Sequence, residues 1–329
     1  MKIDRISKDK LEEFIKMVDE AETIAIASHV NPDGDNLGST LALRRSLELY
    51  GKDVEVIAID TIDDYLLFLP EIENYKEASR DSYDLFIIMD CSEFDRIGSA
   101  TPIARASKKT IVIDHHVGGK INCDLNLIYD TAPATCELAY EIIDKLDLPM
   151  DETIGTLLFT GLCTDTGRFM YANINEYTFN VAGKLITAGV DYEYIYRNLY
   201  QSQPVKVMQF HNEVISTAQF FDKKAFAIAS KDLVEKYHVQ MGDAESIVNK
   251  LRDLKEVEIS MIVKEYDDGE YKVSLRSKFA DVSKVARDNG GGGHIKASGF
   301  SIFDDSLESA AKKALEILKE IWVLRESLT

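Results

Sequence analysis

The sequence predicts an α/β protein with two domains, a parallel-sheet domain at the N-terminus and a smaller α/β domain at the C-terminus. In the N-terminal part, short apolar segments alternate with segments of helical periodicity, which is the pattern of βαβ units. From Thr217 onward, apolar and polar residues alternate, which indicates a separate sheet. The 329 residues can bury two cores. We expect domains at 1–203 and 217–329, with a linker helix over 205–216.

Each N-terminal element follows from local periodicity. Leu11, Phe14 and Val18 form one apolar stripe, so a covering helix is expected over 8–20. Short apolar segments rich in β-formers predict four buried strands, over 23–28, 54–59, 85–89 and 110–113. Apolar residues at helical spacing predict further helices over 36–50, 134–146, 153–162, 176–188 and 192–200.

The C-terminal part has a different texture. Alternating segments predict strands at 226–229, 257–263 and 271–275, with a hairpin turn at 267–269. The glycine run from Gly290 to Gly293 precedes His294 and a further β-like segment. This run is either a loop whose amides approach a phosphate or a flexible linker. A long helix is expected over 306–324.

The composition limits the class of protein. A hydrophobic fraction of 45% and a charged fraction of 29% are typical of soluble globular proteins. No apolar segment approaches the roughly 20 residues that span a bilayer, and the N-terminus lacks the basic-then-apolar order of a signal peptide. We therefore expect a cytoplasmic protein with no membrane partner. The four cysteines form no CxxC pair, which favours reduced thiols over a structural zinc site.

The net charge of −19 disfavours long nucleic acid as a partner. Affinity for long nucleic acid comes largely from Lys and Arg side chains that neutralise many phosphates. A short phosphorylated substrate held by metal ions is compatible with this charge, because carboxylates that gather cations themselves lower the net charge.

Candidate metal ligands follow the predicted strands. His29, Asp90 and His115 come at or just after the ends of three apolar segments. The carboxyl ends of parallel strands meet at one edge of a sheet, so these side chains should converge. The triplet Asp114-His115-His116 can serve one site only if the chain turns out of the sheet there. Three further carboxylates lie in polar segments, at Asp33, Asp35 and Asp165.

Imidazole and carboxylate ligands without thiolate suit Mn²⁺, Fe²⁺, Co²⁺ or Zn²⁺. Six groups exceed the needs of one open catalytic site, whereas two metals bridged by a carboxylate would use them all. Metal binding lowers the pKa of bound water to about 7, so this arrangement predicts a hydroxide that attacks phosphorus.

The motifs resemble those of the DHH phosphoesterase superfamily, which includes RecJ-type exonucleases and family II inorganic pyrophosphatases. The resemblance rests on HVNPDGDNLGS, DCSEFDRIG, IDHH and TDTGRF in the first half, and on GGGGHIKASG in the second half. GGGGHIKASG is similar to the glycine-rich signature of the DHH-associated C-terminal domain. The likeness extends to the stand-alone branch of nanoRNases and pAp phosphatases, including relatives that cleave cyclic di-AMP or its linear product pApA.

The resemblance implies two Mn²⁺ ions per chain, with Co²⁺ or Mg²⁺ as substitutes. One ion would be held by His29, Asp33 and Asp90. The second would be held by Asp35, Asp90, His115 and Asp165, so that Asp90 bridges the two ions.

The resemblance also implies roles for the rest of the triplet and for the second domain. His116 would face the scissile phosphate, as an electrophile or as the acid that protonates the leaving oxygen. Asp114 would orient the neighbouring imidazoles. Substrate would lie in a cleft between the domains. The expected substrate-binding residues are Arg276, Lys278, Gly292, Gly293, His294 and Arg96.

The sequence therefore predicts a manganese-dependent phosphodiesterase or phosphatase acting on short nucleotides such as pApA, cyclic di-AMP, nanoRNA or pAp. Two alternatives stay open, a family II-like inorganic pyrophosphatase and an inactive metal-bound nucleotide sensor. The preferred substrate and the oligomeric state are also open, with a homodimer as one option.

Overall fold

In the computed structural model, which describes residues 5–116, 118–119, 121–171, 173–267 and 269–321, the N-terminal part is built on a six-stranded parallel sheet. Its strands are β1 Thr23–Ala27, β2 Asp53–Ile57, β3 Tyr75–Lys76, β4 Leu85–Met89, β5 Lys109–Asp114 and β6 Leu125–Ile128. The strand order is β3-β2-β1-β4-β5-β6, and every neighbouring pair is parallel. The chain thus winds outward in both directions from the central pair β1 and β4, which confirms the predicted parallel α/β fold.

Seven α-helices accompany this sheet within the described residues. They are α1 Lys8–Glu20, α2 Gly34–Leu49, α3 Thr101–Ala106, α4 Thr135–Lys145, α5 Glu152–Asp165, α6 Glu176–Thr187 and α7 Tyr192–Tyr200. Short 3₁₀ turns occupy Asp64–Leu66, Ile72–Asn74 and Phe94–Ala100. The sequence did not predict β3, β6 or α3, because these elements are too short to show a period.

Both faces of the sheet are buried, and β4 shows this most clearly. Leu85, Ile87 and Met89 belong to the core shared with the helices α1, α2, α4, α5 and α6. Phe86 and Ile88 belong to the opposite core, together with residues of α3 and the turn before it. A strand buried on both faces is continuously apolar rather than alternating, which is why the sequence predicts a buried strand here.

Helices α2 and α5 pack closely because glycines line their contact. A Cβ atom on Gly38 would lie 2.5 Å from the Leu157 carbonyl oxygen, and one on Gly161 would meet the Cys136 sulfur and the Asp35 backbone. Such distances leave no room for a side chain. The two helices therefore approach backbone to backbone at the end of the sheet that carries the candidate ligands.

The C-terminal part has a second six-stranded sheet, of mixed direction. Its strands are β7 Gln219–Phe221, β8 Lys224–Ala229, β9 Ile259–Glu265, β10 Glu270–Ser277, β11 Gly292–His294 and β12 Ala297–Phe303, in the order β11-β12-β10-β9-β8-β7. Only β8 and β9 pair in parallel. The helices are α8 Val205–Ser216, α9 Lys231–Tyr237, α10 Glu245–Arg252, α11 Ser283–Asp288 and α12 Leu307–Glu320, with a 3₁₀ turn at Met241–Ala244.

The chain divides into the units Met1–Ser202 and Gln203–Thr329. The helix predicted as a linker, α8, belongs to the second unit, since its Phe210 and Val214 lie in the core formed with α10 and β8. The glycine run is not a flexible linker, because Gly292 and Gly293 pair with β12. Two predictions reach beyond the described residues, at Asp268 of the hairpin turn and at 322–324 of the last helix.

No helix among the described residues has the length and apolar character needed to cross a membrane.

Gly38→Ala should destabilise the N-terminal unit. The added methyl group would collide with a backbone carbonyl, and overpacking of this kind costs about 1–3 kcal/mol. Urea unfolding followed by circular dichroism measures the change. The matched control is Gly183→Ala in α6, where a Cβ would meet nothing within 4 Å and the alanine should gain about 1 kcal/mol from helix propensity. Equal stability of the two variants would contradict the close approach of α2 and α5.

Candidate active site

The candidate site lies where the winding of the N-terminal sheet changes direction. β1 and β4 are the central neighbours, and His29 and Asp90 follow them within two residues. Asp90 has φ 52°, in the left-handed region that costs a non-glycine residue energy and is frequent at functional sites. Its N–H donates to the Ile113 carbonyl at 2.9 Å, which fixes the turn. The backbone thus turns sharply at the residue that the sequence predicted as the bridging ligand.

The Asp90 carboxylate lies between two imidazoles. Its Oδ2 is 3.3 Å from His29 Nε2, and its Oδ1 is 3.6 Å from His115 Nε2. The Thr135 hydroxyl donates to the same Oδ1 at 2.9 Å. Asp90 is only 2% exposed. His116 Nδ1 lies 3.5 Å from Oδ1 as well. Oδ2 therefore faces His29, and Oδ1 faces His115 and His116, in an environment that excludes most water.

Two carboxylates come from the start of α2. Asp33 caps the helix by accepting from the N–H groups of Asp35 and Asn36 at 3.0 and 2.9 Å. Asp35 is fully buried and accepts from the N–H groups of Thr135 and Cys136 at 2.6 and 2.8 Å. These amides belong to the first turn of α4, so the positive end of that helix stabilises the Asp35 charge.

The remaining carboxylate comes from the end of α5. The helix extends to Asp165, three residues beyond its predicted end at 162. Asp165 Oδ2 lies 3.0 Å from His115 Nε2, and Asp35 Oδ2 lies 4.0 Å from the same nitrogen. The helical position places Asp165 beside α2, because α2 and α5 pack closely. The six predicted ligands therefore come together at one end of the sheet.

The ring orientations of two histidines suit metal binding. His29 Nδ1 lies 2.8 Å from the Val30 carbonyl oxygen, and His115 Nδ1 lies 3.2 Å from the Ala132 carbonyl oxygen. A carbonyl oxygen only accepts, so in both neutral rings the hydrogen sits on Nδ1 and Nε2 keeps a lone pair. Both Nε2 atoms face carboxylates, which is the arrangement in which backbone partners orient histidine ligands.

Three overlapping groups could each hold a metal ion, with ligand atoms within 4.8 Å of one another. They are His29, Asp33, Asp90, then Asp35, His115, Asp165, and finally Asp90, His115, His116. Imidazole nitrogens and carboxylate oxygens without sulfur fit a divalent ion of intermediate softness, such as Mn²⁺. The residues present therefore fit the metal site that the sequence predicts.

The electrostatics show how crowded the charges are. Burial, together with the charges of Asp165 and Asp90, raises the pKa of Asp33 to about 6. Burial and the same two neighbours raise the pKa of Asp35 well above its usual range. Burial opposes charge on the His29 ring, but the hydrogen bond and charge of Asp90 outweigh it and raise the pKa of His29 to about 9. Repulsion between buried carboxylates is what a divalent cation would relieve.

Asp114 and His116 form a hydrogen-bonded pair at the edge of the cluster, where His116 Nδ1 also lies 3.5 Å from Asp90 Oδ1. His116 Nδ1 lies 2.7 Å from Asp114 Oδ1, and the His116 N–H also donates to that oxygen at 3.2 Å. Asp114 is fully buried, whereas the His116 ring is partly exposed. The prediction that Asp114 orients both imidazoles needs correction, because the Nδ1 of His115 faces Ala132 instead. Asp114 contacts His116.

In the C-terminal unit, Arg276 and His294 share one rung of the sheet. Both residues pair with Ala297, from opposite sides of β12. Arg276 Nη2 lies 2.9 Å from Glu245 Oε1, at the first residue of α10. The predicted glycines lie next to the rung, since Gly292 and Gly293 pair with Gly299 and Ser298.

The other two predicted substrate residues lie elsewhere. Lys278 Nζ donates to the Leu254 carbonyl at 2.7 Å, beyond the C-terminal end of α10. Arg276 instead contacts Glu245 at the N-terminal end of α10. Arg276 and Lys278 therefore lie at opposite ends of this helix and do not form one cationic site. Arg96 belongs to the first unit, and its positive charge acts on the His29 ring. Its carbonyl accepts from the Val30 N–H at 2.8 Å, which places Arg96 next to the residue that follows His29.

Sequence reasoning missed Thr135 and Asn36. Thr135 contacts Asp35 through its N–H and Asp90 through its hydroxyl. Asn36 donates to the His29 carbonyl at 3.1 Å and accepts from the Ser28 hydroxyl. Thr135 could have been identified from its position at the start of a predicted helix, where backbone N–H groups have no partner within the helix and can bind a carboxylate. Nothing in the local sequence around Asn36 indicated its contact with His29.

Two domain families match the chain, in the order of the two units. Residues 23–162 match the DHH family, N-terminal domain, and residues 222–321 match the DHHA1 domain. The bifunctional oligoribonuclease and PAP phosphatase NrnA of Thermus thermophilus is 29% identical over 90% of this chain and 89% of its own length. The protein of the same name from Bacillus subtilis is 27% identical over 88% of this chain and 93% of its own length.

Solved structures share the fold. The crystal structure of an exopolyphosphatase-related protein from Bacteroides fragilis has a TM-score of 0.90 at 27% identity, and covers 97% of this chain and 98% of that protein. RecJ from Thermus thermophilus in complex with Mn²⁺ has a TM-score of 0.59 at 17% identity, and covers 96% of this chain and 55% of that protein. Since both domain families match and relatives align along most of the length, the chain belongs to the DHH family of phosphoesterases and is a hydrolase.

Proposed function

We propose that the chain is a manganese-dependent phosphodiesterase or phosphatase that hydrolyses short nucleotides, among them pApA, cyclic di-AMP, nanoRNA of a few residues and pAp. The observation that carries the proposal is the Asp90 carboxylate, whose two oxygens face His29 and His115 separately. A carboxylate in this position suits a bridge between two cations. The DHH family is metal-dependent, which supports a metal-binding role for Asp90.

Two Mn²⁺ ions fit the ligand set. One would take His29, Asp33 and Asp90, and the other would take Asp35, Asp90, His115 and Asp165. When bound, the pair would supply an activated water for attack on phosphorus and would neutralise charge on the phosphate oxygens. Thr135 and the α4 amides hold Asp90 and Asp35 in place.

His116 is the proposed proton donor to the leaving oxygen. Its Nδ1 lies 2.7 Å from Asp114 Oδ1, which orients the ring for this role. A positioned general acid contributes about 10²–10⁴-fold to rate. His116 is partly exposed, so a phosphate can reach it.

The substrate class has three supports. Relatives named oligoribonuclease and PAP phosphatase align along most of the chain. The net charge of −19 disfavours long nucleic acid. The rung of Arg276 and His294 beside the glycine run offers a cation, an imidazole and backbone amides, which together suit a second phosphate.

Purified protein with Mn²⁺ should release mononucleotides from pApA and short RNA, and phosphate from pAp. A panel of these substrates, with cyclic di-AMP and pyrophosphate added, and product identification by chromatography, tests this. Chelation of the metal should abolish turnover.

The control for contaminating enzymes is Asp90→Asn, which should lower turnover at least about 100-fold because it weakens both proposed metal sites. Turnover of pyrophosphate alone would favour a family II-like pyrophosphatase. Binding of pApA without cleavage of any substrate would identify a nucleotide sensor and end the proposal.

His115→Ala and His116→Ala should differ in metal content. His115→Ala removes a ligand from the second site and should lose both bound Mn²⁺ and activity. His116→Ala should keep its metal and lose about 10²–10⁴-fold in turnover. Metal analysis by mass spectrometry, beside turnover of pApA, measures both. Equal metal loss in the two variants would make His116 a ligand instead.

Asp114→Asn should retain metal and lower turnover roughly 10–100-fold, because the neutral amide oxygen accepts from His116 more weakly than the carboxylate does. Wild-type turnover by this variant would remove Asp114 from the proposed mechanism. Circular dichroism provides the check on folding, since Asp114 is buried.

A further inference from the structure

One face of the C-terminal sheet carries a row of polar and aromatic side chains. Glu245 of α10 covers the row at Arg276 and Ser274, and the row is open from Lys272 to Phe303. Lys272, Ser274 and Arg276 alternate along β10 and so point to the same side. The residues of β12 opposite Ser274 and Lys272 are Gly299 and Ser301, and Phe303 follows at the next same-side position. The opposite side is covered, since Val273, Leu275 and Phe300 lie in the core beneath α11 and α12.

A cavity of about 620 Å³ lies on this face. Its lining includes Lys264, Lys272, Ser274, Gly291, Gly299 and Phe303. This volume is within the range of about 300–1,000 Å³ found for small-molecule sites. The two glycines are required by close packing, because a Cβ on Gly291 would collide with the Gly299 carbonyl and one on Gly299 would lie 2.7 Å from the Val273 carbonyl. Backbone therefore forms part of the wall.

The cavity has an excess of positive charge at one end. Lys264 and Arg276 both pair with the single carboxylate of Glu245. Lys272 lies directly opposite Lys264 across the β9–β10 ladder. Its ammonium is 4.5 Å from the Tyr266 ring centroid, and no carboxylate of the described residues forms an ion pair with it. Glu245 already balances the charge of Lys264, so an anion bound at this end would be stabilised by Lys272.

The other end of the same face is aromatic. Phe303 is 72% exposed and lies opposite Glu270, which accepts from the Ser301 hydroxyl at 2.7 Å. An exposed ring on an open sheet, beside lysines, is the combination on which single-stranded nucleic acids bind, with bases stacked on the ring and phosphates at the cations.

We propose that this cavity is a nucleotide subsite, in which Lys272 binds a backbone phosphate and Phe303 stacks on a base. Lys272 lies on the same face of β10 as Arg276, with Ser274 between them. The subsite would therefore contact a different nucleotide from the one bound by Arg276 and His294. It rests on the proposed function, and it adds a second binding position that only the longer of the proposed substrates, such as nanoRNA, would occupy.

Binding of a fluorescein-labelled adenylate pentanucleotide to the full chain tests the subsite. The measurement is fluorescence anisotropy with Mn²⁺, in the His116→Ala background so that the probe is not consumed. Lys272→Glu and Phe303→Ala should each weaken binding about tenfold, since stacking and phosphate contacts contribute at that level. Both side chains lie at the surface of the sheet, and thermal unfolding checks that the variants remain folded.

The matched controls are Lys312→Glu on α12 and Phe220→Ala on β7. Lys312→Glu makes the same charge change on α12, which covers the other side of the sheet. Phe220→Ala removes an exposed ring from β7, at the edge of the sheet opposite β11. Both should bind within roughly twofold of the background protein. Equal affinity of the test and control variants, or no binding of the probe to the background protein, overturns the subsite. Failure of the proposed function would appear separately, as absence of turnover by wild type.

Discussion

The position of Asp90 between two histidines is the constraint on which the site depends. It holds only because β4 lies between β1 and β5 in the sheet, so that the residues after these strands meet. The left-handed turn at Asp90 then directs one oxygen to each imidazole. A different strand order would separate the same residues, which explains why a local motif becomes a site only in this fold.

The charges at the site are partly balanced by the protein itself. Asp35 accepts two N–H groups from the start of α4, and Asp33 accepts two from the start of α2. Helix ends of this kind stabilise buried anions without adding a mobile cation. The balance is incomplete, because burial and neighbouring carboxylates still raise the pKa of both groups. The remaining repulsion favours divalent cations.

Much of this arrangement could be predicted from the sequence. The apolar segments identified β1, β4 and β5 within one or two residues, and the residues that follow them include His29, Asp90 and His115. The partners of these residues could not be predicted, because they depend on contacts between distant segments. Thr135 and the rung of Arg276 and His294 became visible only in three dimensions. Short elements such as β3 and β6 have no periodic signal and obtain their structure from the neighbouring strand.

The bond between Asp35 and the α4 amides also constrains how the protein is made. The two partners are 100 residues apart in the chain, and Asp165 follows later still. Contacts over such separations form slowly, because a long loop must close before they gain energy. During synthesis, a nascent chain therefore carries His29, Asp33 and Asp35 well before their partners exist. A metal ion at this site would therefore meet its full set of ligands only after α5 has been made.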